Sequence, residues 1–360
     1  MDREERGGWT AAGGARWVGD QPWKDGPVAS YPKIELHVHL EGTVRPRTLL
    51  DLARRNDVPL PVDTVDGLTQ LYEFTDFAHF IEVWILTTNV MRTAEDFRQI
   101  VVDYAAEAAN HGAVYLEAIF SPIERVMRGV SWDDLFEGYC DGAQQAQEEY
   151  GVVVRLTPDS YRGADVEATE ELARRCVAAK DRGVVGLGLG GPEQNYPPQP
   201  YAKAFEIAKA GGLASVPHAG ESAGADSIRE TMVALQADRI RHGVRAIDDP
   251  DLMAELRDRQ LVIDVCPTSN LRTKTVADLA NHPLPGLVDA GVVCTVNTDD
   301  PAMFGTDLGR EHEIARHLGV RPKALFEAGL KGAMCDDATR ARVAETAATF
   351  DWDALERMPA

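Results

Sequence analysis

The stretch KIELHVHL (33–40) is the first of eight short runs rich in β-branched residues, and these runs decide the fold. The other seven are VYLEAIFSP (114–122), VVVRLTPDS (152–160), VVGLGLGG (184–191), LASVPHAGE (213–221), RIRHGV (239–244), VIDVCPTSN (262–270) and VCTVNTDDP (293–301). A stretch of helical periodicity follows each run, which is typical of parallel βαβ units. Eight such units predict an α/β protein that folds as a (β/α)8 TIM barrel.

The gap between the first two runs, residues 41–113, is much longer than one connecting helix requires, and it includes the helical pattern TDFAHFIEVWILTTNV. Insertions after a barrel strand lie over the active site, so this segment is interpreted as a helical lid after the first strand. Its aromatic residues Phe74, Phe77, Phe80 and Trp84 would then contact the substrate. Alternatively they fill the core of a helical hairpin, because aromatic residues at helical spacing usually pack.

The chain divides into two parts of different composition. Residues 1–30 are rich in glycine and charge and have neither helical nor strand periodicity, which predicts a flexible N-terminal extension. Residues 31–360 are interpreted as a single domain, because one (β/α)8 barrel can have this length. Hydrophobic residues make up 44% of the chain and charged residues 26%, which is ordinary for a globular protein with a full core.

The formal net charge of the chain is −21 at pH 7. This charge opposes binding to nucleic acid or to an anionic membrane, since both would repel the surface, and it favours a small-molecule partner. The sequence has neither a long apolar run nor the apolar core of a secretory signal, so a cytoplasmic location is predicted. The oligomeric state is not indicated by the sequence.

The five cysteines are far apart and never form a CxxC pattern. Neither a disulfide framework nor a thiolate zinc cluster is therefore indicated. Any metal ion in this protein would have to be held by histidine and carboxylate side chains.

Polar side chains occupy the ends of four predicted strands, where the catalytic residues of (β/α)8 barrels lie. His37 and His39, two positions apart in the first run, would point to the same face and could hold one metal ion. His218 closes the fifth run and precedes Glu221, a carboxylate that could carry a proton beside the metal. Each pattern alone is also compatible with packed histidines or with a glutamate at a helix start.

His242 lies at the end of the sixth run, and Asp299 and Asp300 at the end of the eighth. Neighbouring residues of a regular strand diverge, so one aspartate would bind metal while the other faces substrate or water. A lone Asp-Asp before proline usually forms a turn or a helix cap, and a lone His-Gly is usually structural. Together the four strand ends favour a site of three imidazoles and one carboxylate, a set that suits zinc.

Five motifs resemble those of the adenosine deaminase family, in the amidohydrolase superfamily of metal-dependent hydrolases: PKIELHVHLEGT, VPHAGE, RIRHGVRAIDDP, VCPTSN and NTDDPAMFGT. The resemblance spans about residues 32 to 340. It implies a zinc-dependent hydrolase that removes the amino group of a 6-aminopurine. The HxE and PCxxC pattern of nucleic-acid deaminases is absent from the sequence, so DNA or RNA editing is not indicated.

The resemblance also implies a role for each residue of the predicted site. The ligands of one zinc ion per chain would be His37, His39, His218 and Asp299. Glu221 would donate a proton to purine N1, His242 would orient the attacking water and assist its deprotonation, and Asp300 would hydrogen-bond the resulting hydroxide and purine N7. The predicted substrate contacts are His39, Glu41, the backbone amide of Gly191, and Asp300.

Three departures from adenosine deaminases concern the substrate. Glu41 stands where they usually carry the aspartate that holds ribose, and Gly188 and Pro192 stand where they usually carry acidic residues. The segment GGPE (190–193) is more similar to family members that act on modified nucleosides. The main prediction is conversion of adenosine or 2′-deoxyadenosine to inosine or 2′-deoxyinosine and ammonia. The alternative substrates are 6-aminodeoxyfutalosine and free adenine.

Two other classes of protein are less compatible with the sequence. A barrel metallohydrolase that cleaves an amide or a phosphoester often holds two metals through a modified lysine, and no lysine stands at such a strand end. A non-catalytic purine-binding relative would be expected to have lost a metal ligand or the acid. None of these residues is missing from the chain.

Overall fold

The computed structural model describes residues 31–75 and 77–357, apart from the side chains at positions 77, 78 and 356. The predicted flexible extension, residues 1–30, and the side chain of Phe77 lie outside the described residues. From Lys33 onward the chain alternates strands with helices.

Ten strands occur in the described residues, and they fall within the eight predicted runs or overlap them. They are β1 Lys33–His39, β2 Ala113–Ile119, β3 Val153–Leu156, β4 Asp159–Tyr161, β5 Gly186–Gly190, β6 Ala214–Ser215, β7 His218–Ala219, β8 Arg239–His242, β9 Val262–Val265 and β10 Val293–Val296. The third and fifth runs each form two short strands, because the chain leaves regular pairing before Pro158 and Pro217, which lack the amide hydrogen.

The strands form three parallel sheets, in the order β1-β2-β3, β4-β5-β6 and β10-β9-β8-β7. Isolated parallel bridges join Leu156 to Val184 and Val38 to Asp299. The α/β class and the parallel pairing of successive runs are thereby confirmed. The strands do not form one continuous sheet, so their closure into a single barrel remains a prediction.

The helices of the described residues lie between and after the strands, and several begin with a side-chain cap such as Thr93, whose hydroxyl accepts from the amide of Asp96. They are α1 Pro46–Arg55, α2 Val65–Leu71, α3 Phe77–Thr88, α4 Ala94–Asn110, α5 Pro122–Met127, α6 Trp132–Tyr150, α7 Val166–Ala178, α8 Ala202–Ala210, α9 Ala225–Ala234, α10 Pro250–Arg259, α11 Pro267–Arg272, α12 Leu284–Asp289, α13 Pro301–Phe304, α14 Leu308–His317, α15 Pro322–Gly332, α16 Asp337–Ala348 and α17 Trp352–Glu356. Over the part of the chain that is described, none of them is long and apolar enough to span a membrane.

Buried charges connect strands of different sheets. Arg239 of β8 is fully buried, and its guanidinium lies 2.7 Å from Glu117 of β2 and 2.6 Å from Asp264 of β9. It also donates to the carbonyl of Leu36 in β1 at 3.1 Å. A buried guanidinium requires such partners, and these ones hold β1, β2, β8 and β9 around a common interior.

The long insertion between β1 and β2 is helical and forms α1 to α4. Its aromatic residues pack against the end of the last run: the ring of Phe80 lies 5.2 Å from that of Phe74 and 5.1 Å from that of Phe304 in α13. These contacts fix α3 next to the segment that follows β10. A role of the insertion as a lid remains a prediction.

Candidate metal centre and substrate pocket

The side chains predicted to bind metal converge where the parallel strands end. His37 and His39 lie in β1, His218 begins β7, and Asp299 follows β10. His37, His218 and Asp299 are buried, and the side chain of His39 is 14% exposed. Residues up to 262 positions apart in the chain, His37 and Asp299, are therefore brought into one cluster.

The donor atoms of this cluster have the spacing of a tetrahedral metal site. Nε2 of His218 lies 3.1 Å from Nε2 of His37 and 3.2 Å from Nε2 of His39. Oδ1 of Asp299 lies 3.2 Å from Nε2 of His37 and 3.4 Å from Nε2 of His39. Four ligands with bonds of about 2.1 Å around a tetrahedral zinc ion would be separated by roughly 3.4 Å.

The protonation of the imidazoles also suits a cation. Nδ1 of His218 lies 3.1 Å from the carbonyl oxygen of Leu189, so it carries the hydrogen and Nε2 presents a lone pair to the cluster. Burial lowers the pKa of His39 to about 4 and the pKa of His37 well below its ordinary value. Several lone pairs and one carboxylate thus face a common centre, an arrangement that a metal ion stabilises.

His242 lies beside this cluster but at longer distances. Its Nε2 is 3.8 Å from Oδ2 of Asp299 and 3.5 Å from Oε2 of Glu221. Donor atoms of His37, His218, His242 and Asp299 do lie within 4.8 Å of one another, so proximity alone would also allow His242 as a ligand. The shorter spacings above favour His39, which leaves His242 facing the pocket.

A chain of hydrogen bonds sets the tautomer of His242. The amide of Leu284 donates to Nδ1 of His282 at 3.1 Å, so Nε2 of neutral His282 carries the hydrogen and donates to Oδ1 of Asn270 at 3.3 Å. The amide nitrogen of Asn270 therefore faces Nδ1 of His242, at 3.4 Å. Burial lowers the pKa of His282 to about 4 and that of His242 to about 3. Neutral His242 consequently carries its hydrogen on Nε2, toward the cluster.

The backbone explains how two consecutive aspartates reach one site. Strand β10 ends at Val296, and Asp299 has a φ of +65°, a left-handed conformation that costs non-glycine residues about 1–3 kcal/mol. The divergence of neighbouring side chains holds for a regular strand, whereas Asp299 lies in a turn. That one aspartate binds metal while the other faces substrate or water stays a prediction. Donor atoms of Asp299, Asp300 and His39 lie within 4.8 Å of one another. Asp300 packs on Gly42, where a Cβ would come within 2.0 Å of its Oδ1.

Three residues that were not assigned to the metal site support it from outside. Ser269 donates to Oδ2 of Asp299 at 2.6 Å, Asp159 lies 3.3 Å from Nδ1 of His218, and Cys266 lies 3.5 Å from Nδ1 of His37. Such outer partners orient metal ligands and fix their tautomers. Asp159 stands at the end of the third run, so its position as a polar residue at a strand end could have identified it.

Glu221 is held by a loop that another glutamate organises. The carboxylate of Glu193 accepts hydrogen bonds from the amides of Gly220, Glu221 and Ser222 at 2.8–2.9 Å and from the hydroxyl of Ser227 at 2.5 Å. Burial raises the pKa of Glu193, but these hydrogen bonds outweigh it and lower the pKa overall. Burial, together with the charges of Asp299 and Glu193, raises the pKa of Glu221 well above its ordinary value.

A cavity of about 110 Å³ opens in front of this cluster. It is lined by the predicted residues His39, Gly191, His218, Glu221, His242, Asp299 and Asp300 and also by Phe80, Ile81, Trp84, Ser121, Glu124, Asp159, Ser160, Tyr161, Gly190, Thr273 and Phe304. Phe80 and Trp84 therefore contribute both to the packing of α3 and to the cavity wall. Sequence reasoning missed Ser121, Glu124 and Tyr161, which carry no pattern distinct from ordinary strand-end and helix residues.

Glu41 lies behind the cavity wall and is only 1% exposed. Its Oε1 accepts from the amide of Ser121 at 2.8 Å and from the hydroxyl of Tyr139 at 3.2 Å. Its Oε2 has no hydrogen-bond partner among the described residues. Burial raises the pKa of Glu41, and the charge of Arg125 partly offsets this effect. The predicted contact of Glu41 with substrate stays a prediction.

A larger cleft of about 820 Å³ lies at the opposite ends of the strands. Its wall includes Arg155 of β3, Val185 just before β5 and Leu213 just before β6, at the amino-terminal side of the sheets. None of the predicted site residues lines it. Size alone therefore does not identify the functional cavity, and the convergent polar groups of the smaller one do.

An α/β fold with a histidine and aspartate cluster at the carboxyl ends of parallel strands defines a metal-dependent hydrolase of the amidohydrolase type. Residues 32–350 match the family described as adenosine deaminase, and the chain belongs to this family. It is accordingly a hydrolase that acts on C–N bonds and a deaminase of a purine-type substrate.

Three curated relatives cover most of the chain. An aminodeoxyfutalosine deaminase of Acidothermus cellulolyticus is 57% identical over 90% of this chain and 93% of its own length. An aminodeoxyfutalosine deaminase of Streptomyces coelicolor is 38% identical over 90% of this chain and 85% of its own. An adenine deaminase of Cupriavidus necator is 39% identical over 76% of this chain and 78% of its own length.

Two solved structures have the same fold. The adenine deaminase of Arthrobacter aurescens has a TM-score of 0.83 at 30% identity and covers 88% of this chain and 98% of its own. An amidohydrolase of Burkholderia ambifaria with bound Zn has a TM-score of 0.81 at 26% identity and covers 90% of this chain and 91% of its own. The resemblance seen in the motifs is thereby confirmed at the level of the family.

Proposed function

We propose that this protein is a zinc-dependent hydrolase that deaminates aminodeoxyfutalosine. The observation that carries the choice of substrate is the high identity, over nearly the whole chain, to the Acidothermus relative of that name. The segment GGPE (190–193) supports it, since this segment is more similar to that of family members acting on modified nucleosides. Water would replace the 6-amino group by oxygen, and ammonia would leave.

Adenosine and adenine are weaker candidates. The main sequence prediction, adenosine or its 2′-deoxy form, has no support from the names of the relatives described above. Free adenine is favoured by the names of the Cupriavidus relative and of the Arthrobacter structure, which are both adenine deaminases. Adenine lacks any group on the sugar side, however, and would leave Oε2 of buried Glu41 without a partner.

The architecture that we propose is one (β/α)8 barrel over residues 31–360, with one zinc ion at the ends of its strands. The pairing of each run with the next and the contacts of Arg239 across the interior support closure. His37, His39, His218 and Asp299 would hold the ion, which suits their spacing and donor types. A cytoplasmic location stays a prediction.

When bound, zinc would supply a water of lowered pKa as the nucleophile at neutral pH. Glu221, on the cavity wall, would donate a proton to purine N1, which lets the ring accept electrons as the nucleophile adds to C6. His242 would orient the nucleophile by donating a hydrogen bond from Nε2, because the chain from Leu284 through His282 and Asn270 places the hydrogen there.

That tautomer leaves His242 without a lone pair on Nε2, so its predicted part in deprotonation is not favoured while the imidazole is neutral. Asp300 lines the cavity, with a donor atom within 4.8 Å of those of His39 and Asp299, and there it could accept a proton from the nucleophile and face purine N7. Gly191, with a φ of +94°, lines the same cavity and would present its amide to N3.

The proposal is tested by following the loss of absorbance at the adenine band and the release of ammonia with zinc-loaded enzyme. The substrates compared are aminodeoxyfutalosine, adenosine, 2′-deoxyadenosine and adenine. We expect kcat/KM for aminodeoxyfutalosine to exceed the others by at least about 100-fold, as expected when a pocket must satisfy its buried polar groups. A higher kcat/KM for adenosine or adenine would reject this choice of substrate while leaving the deaminase class intact.

A further inference from the structure

Arg125 is a buried cation whose hydrogen-bonding groups are not satisfied. Its side chain is 1% exposed, and Nε, Nη1 and Nη2 all lack a hydrogen-bond partner among the described residues. A guanidinium in a protein interior normally forms several hydrogen bonds, because an unsatisfied buried charge is costly. An oxyanion from outside the chain would account for these three nitrogens.

The groups around Arg125 do not supply that oxyanion. The nearest carboxylate, that of Glu124, lies 4.0 Å from Nη1, beyond hydrogen-bonding distance. The ring of Trp84 lies 5.0 Å from the guanidinium carbon and provides a cation–π contact. Arg128 is a second cation, half-buried, whose Nη1 is also unsatisfied; burial and then the charge of Arg125 lower its pKa. Two cations next to each other favour an anion between or beside them.

The position of Arg125 relates it to the substrate pocket. Arg125 lies in α5, directly after β2, and its neighbours Glu124, Trp84 and Ser121 line the cavity. Its charge acts on Glu41, whose Oε2 is also unsatisfied. A carboxylate that needs a donor and a guanidinium that needs an acceptor therefore lie near each other, next to residues that line the cavity.

We propose that Arg125 binds a carboxylate attached to the sugar side of the 6-aminopurine substrate, which makes it a specificity-determining residue. This inference rests on the proposed function and names the chemical class of its substrate: a purine nucleoside that ends in an acid. Trp84 connects Arg125 to the pocket, since its ring contacts the guanidinium and also lines the cavity. A carboxylate is favoured over a phosphate because Glu41 and Glu124 would repel a dianion more strongly than a monoanion, and because one guanidinium matches one carboxylate in geometry and charge.

The inference is tested by calorimetry with the full chain carrying Glu221→Gln, so that turnover does not disturb binding. The probes are 5′-S-(2-carboxyethyl)-5′-thioadenosine, its carboxamide, which has the same shape without the charge, and AMP. The carboxylate is expected to bind about 100-fold more tightly than the carboxamide, as expected for hydrogen bonds to a charged group. Arg125→Gln should remove this preference and leave the Kd of the carboxamide unchanged.

Arg125→Lys, which keeps the charge but loses the fork of donors, should retain only part of the preference. Arg174→Gln is the matched control, since Arg174 is an exposed arginine of α7. Equal binding of carboxylate and carboxamide by the parent protein would overturn the inference even if Arg125→Gln did not fold. Tighter binding of AMP than of the carboxylate would overturn the choice of anion. Preference for the carboxylate in the Glu221→Gln protein, together with no deamination of any purine by the protein that retains Glu221, would instead reject the proposed function and leave the role of Arg125 standing.

Discussion

The metal side and the sugar side of the pocket differ in how far the protein satisfies its own polar atoms. On the metal side, Asp299 accepts from Ser269, His218 donates to Leu189, and Glu193 accepts four hydrogen bonds at 2.5–2.9 Å. The exceptions there are Oδ1 of Asp300, which is proposed to face the substrate, and Oδ2 of Asp159, which lies 3.3 Å from Nδ1 of His218. On the side proposed to hold the sugar, one oxygen of Glu41 and three nitrogens of Arg125 have no such partner in the described chain.

This difference distinguishes the residues that perform the reaction from the residues that select the substrate. Groups that perform chemistry must be held in place before the substrate arrives, so their partners belong to the protein. Groups that select a substrate can leave a bond unmade until the correct ligand completes it, and they then reject ligands that lack the complementary group. Changes on the metal side should therefore affect all substrates equally, and changes on the sugar side should affect them selectively.

The largest effect is expected from Asp299→Ala, which removes a predicted ligand and leaves three imidazoles. Loss of an outer partner alone typically costs a metal site 10- to 100-fold, so loss of a ligand should reduce kcat/KM by at least about 1000-fold for every purine. Zinc content, measured by atomic emission after dialysis, should fall with it. His111→Gln is the control, because His111 lies outside the cluster near Asp307. Full zinc content with normal turnover would remove Asp299 from the ligand set.

Glu221→Gln should keep zinc and lose turnover. The variant retains the shape of the side chain but cannot deliver a proton as a carboxylic acid does, and general acid catalysis contributes about 100- to 10,000-fold. The loss should appear in kcat for aminodeoxyfutalosine and adenosine alike, measured by ammonia release. Turnover near that of the parent enzyme would show that another group protonates the ring.

Glu193→Gln should have a smaller effect on the same step, because Glu193 positions Glu221 without lining the cavity. An amide has only one accepting oxygen in place of two, so hydrogen bonds from the amides of residues 220–222 are weakened or lost. We expect kcat to fall about 10- to 100-fold with zinc content and KM nearly unchanged. Glu206→Gln on α8 is the control, since Glu206 is exposed. A change in KM alone would contradict a positioning role.

The sequence predicted the parallel α/β fold and the cluster at its strand ends because both follow from short-range patterns. An alternation of strands and helices specifies parallel pairing, and the carboxyl ends of such strands gather on one side. His37, His218 and Asp299 could therefore be placed together without a structure. The turn at Asp299 could not be predicted, because its positive φ is a property of the backbone that residue types do not reveal.

The sugar side could not be predicted in the same way. In the sequence, nothing distinguishes Arg125 from other charged residues of short helices. Only the structure shows that it packs against Trp84 and lies too far from Glu124 for a hydrogen bond, which makes it a buried, unsatisfied cation. The sequence analysis singled out the segment GGPE, which contains Glu193, but the contact of Glu193 with the loop after β7 depends on tertiary structure. The residues proposed to select the substrate were therefore harder to predict from the sequence than the residues of the metal site, because they have no fixed spacing along the chain.

Glu41→Gln should produce the smallest and most selective effect. The glutamine can still accept from Ser121 and Tyr139 through its oxygen, whereas the second position becomes a donor and could not accept the hydrogen bond that we propose from the sugar. We expect kcat/KM for aminodeoxyfutalosine and adenosine to fall about 10-fold, the value of one hydrogen bond, with zinc content unchanged. Adenine, which has no sugar, serves as the internal control and should react at its original rate. An equal fall for all three compounds would mean that Glu41 acts on the metal side after all, and the distinction between the two sides of the pocket would then have to be drawn elsewhere.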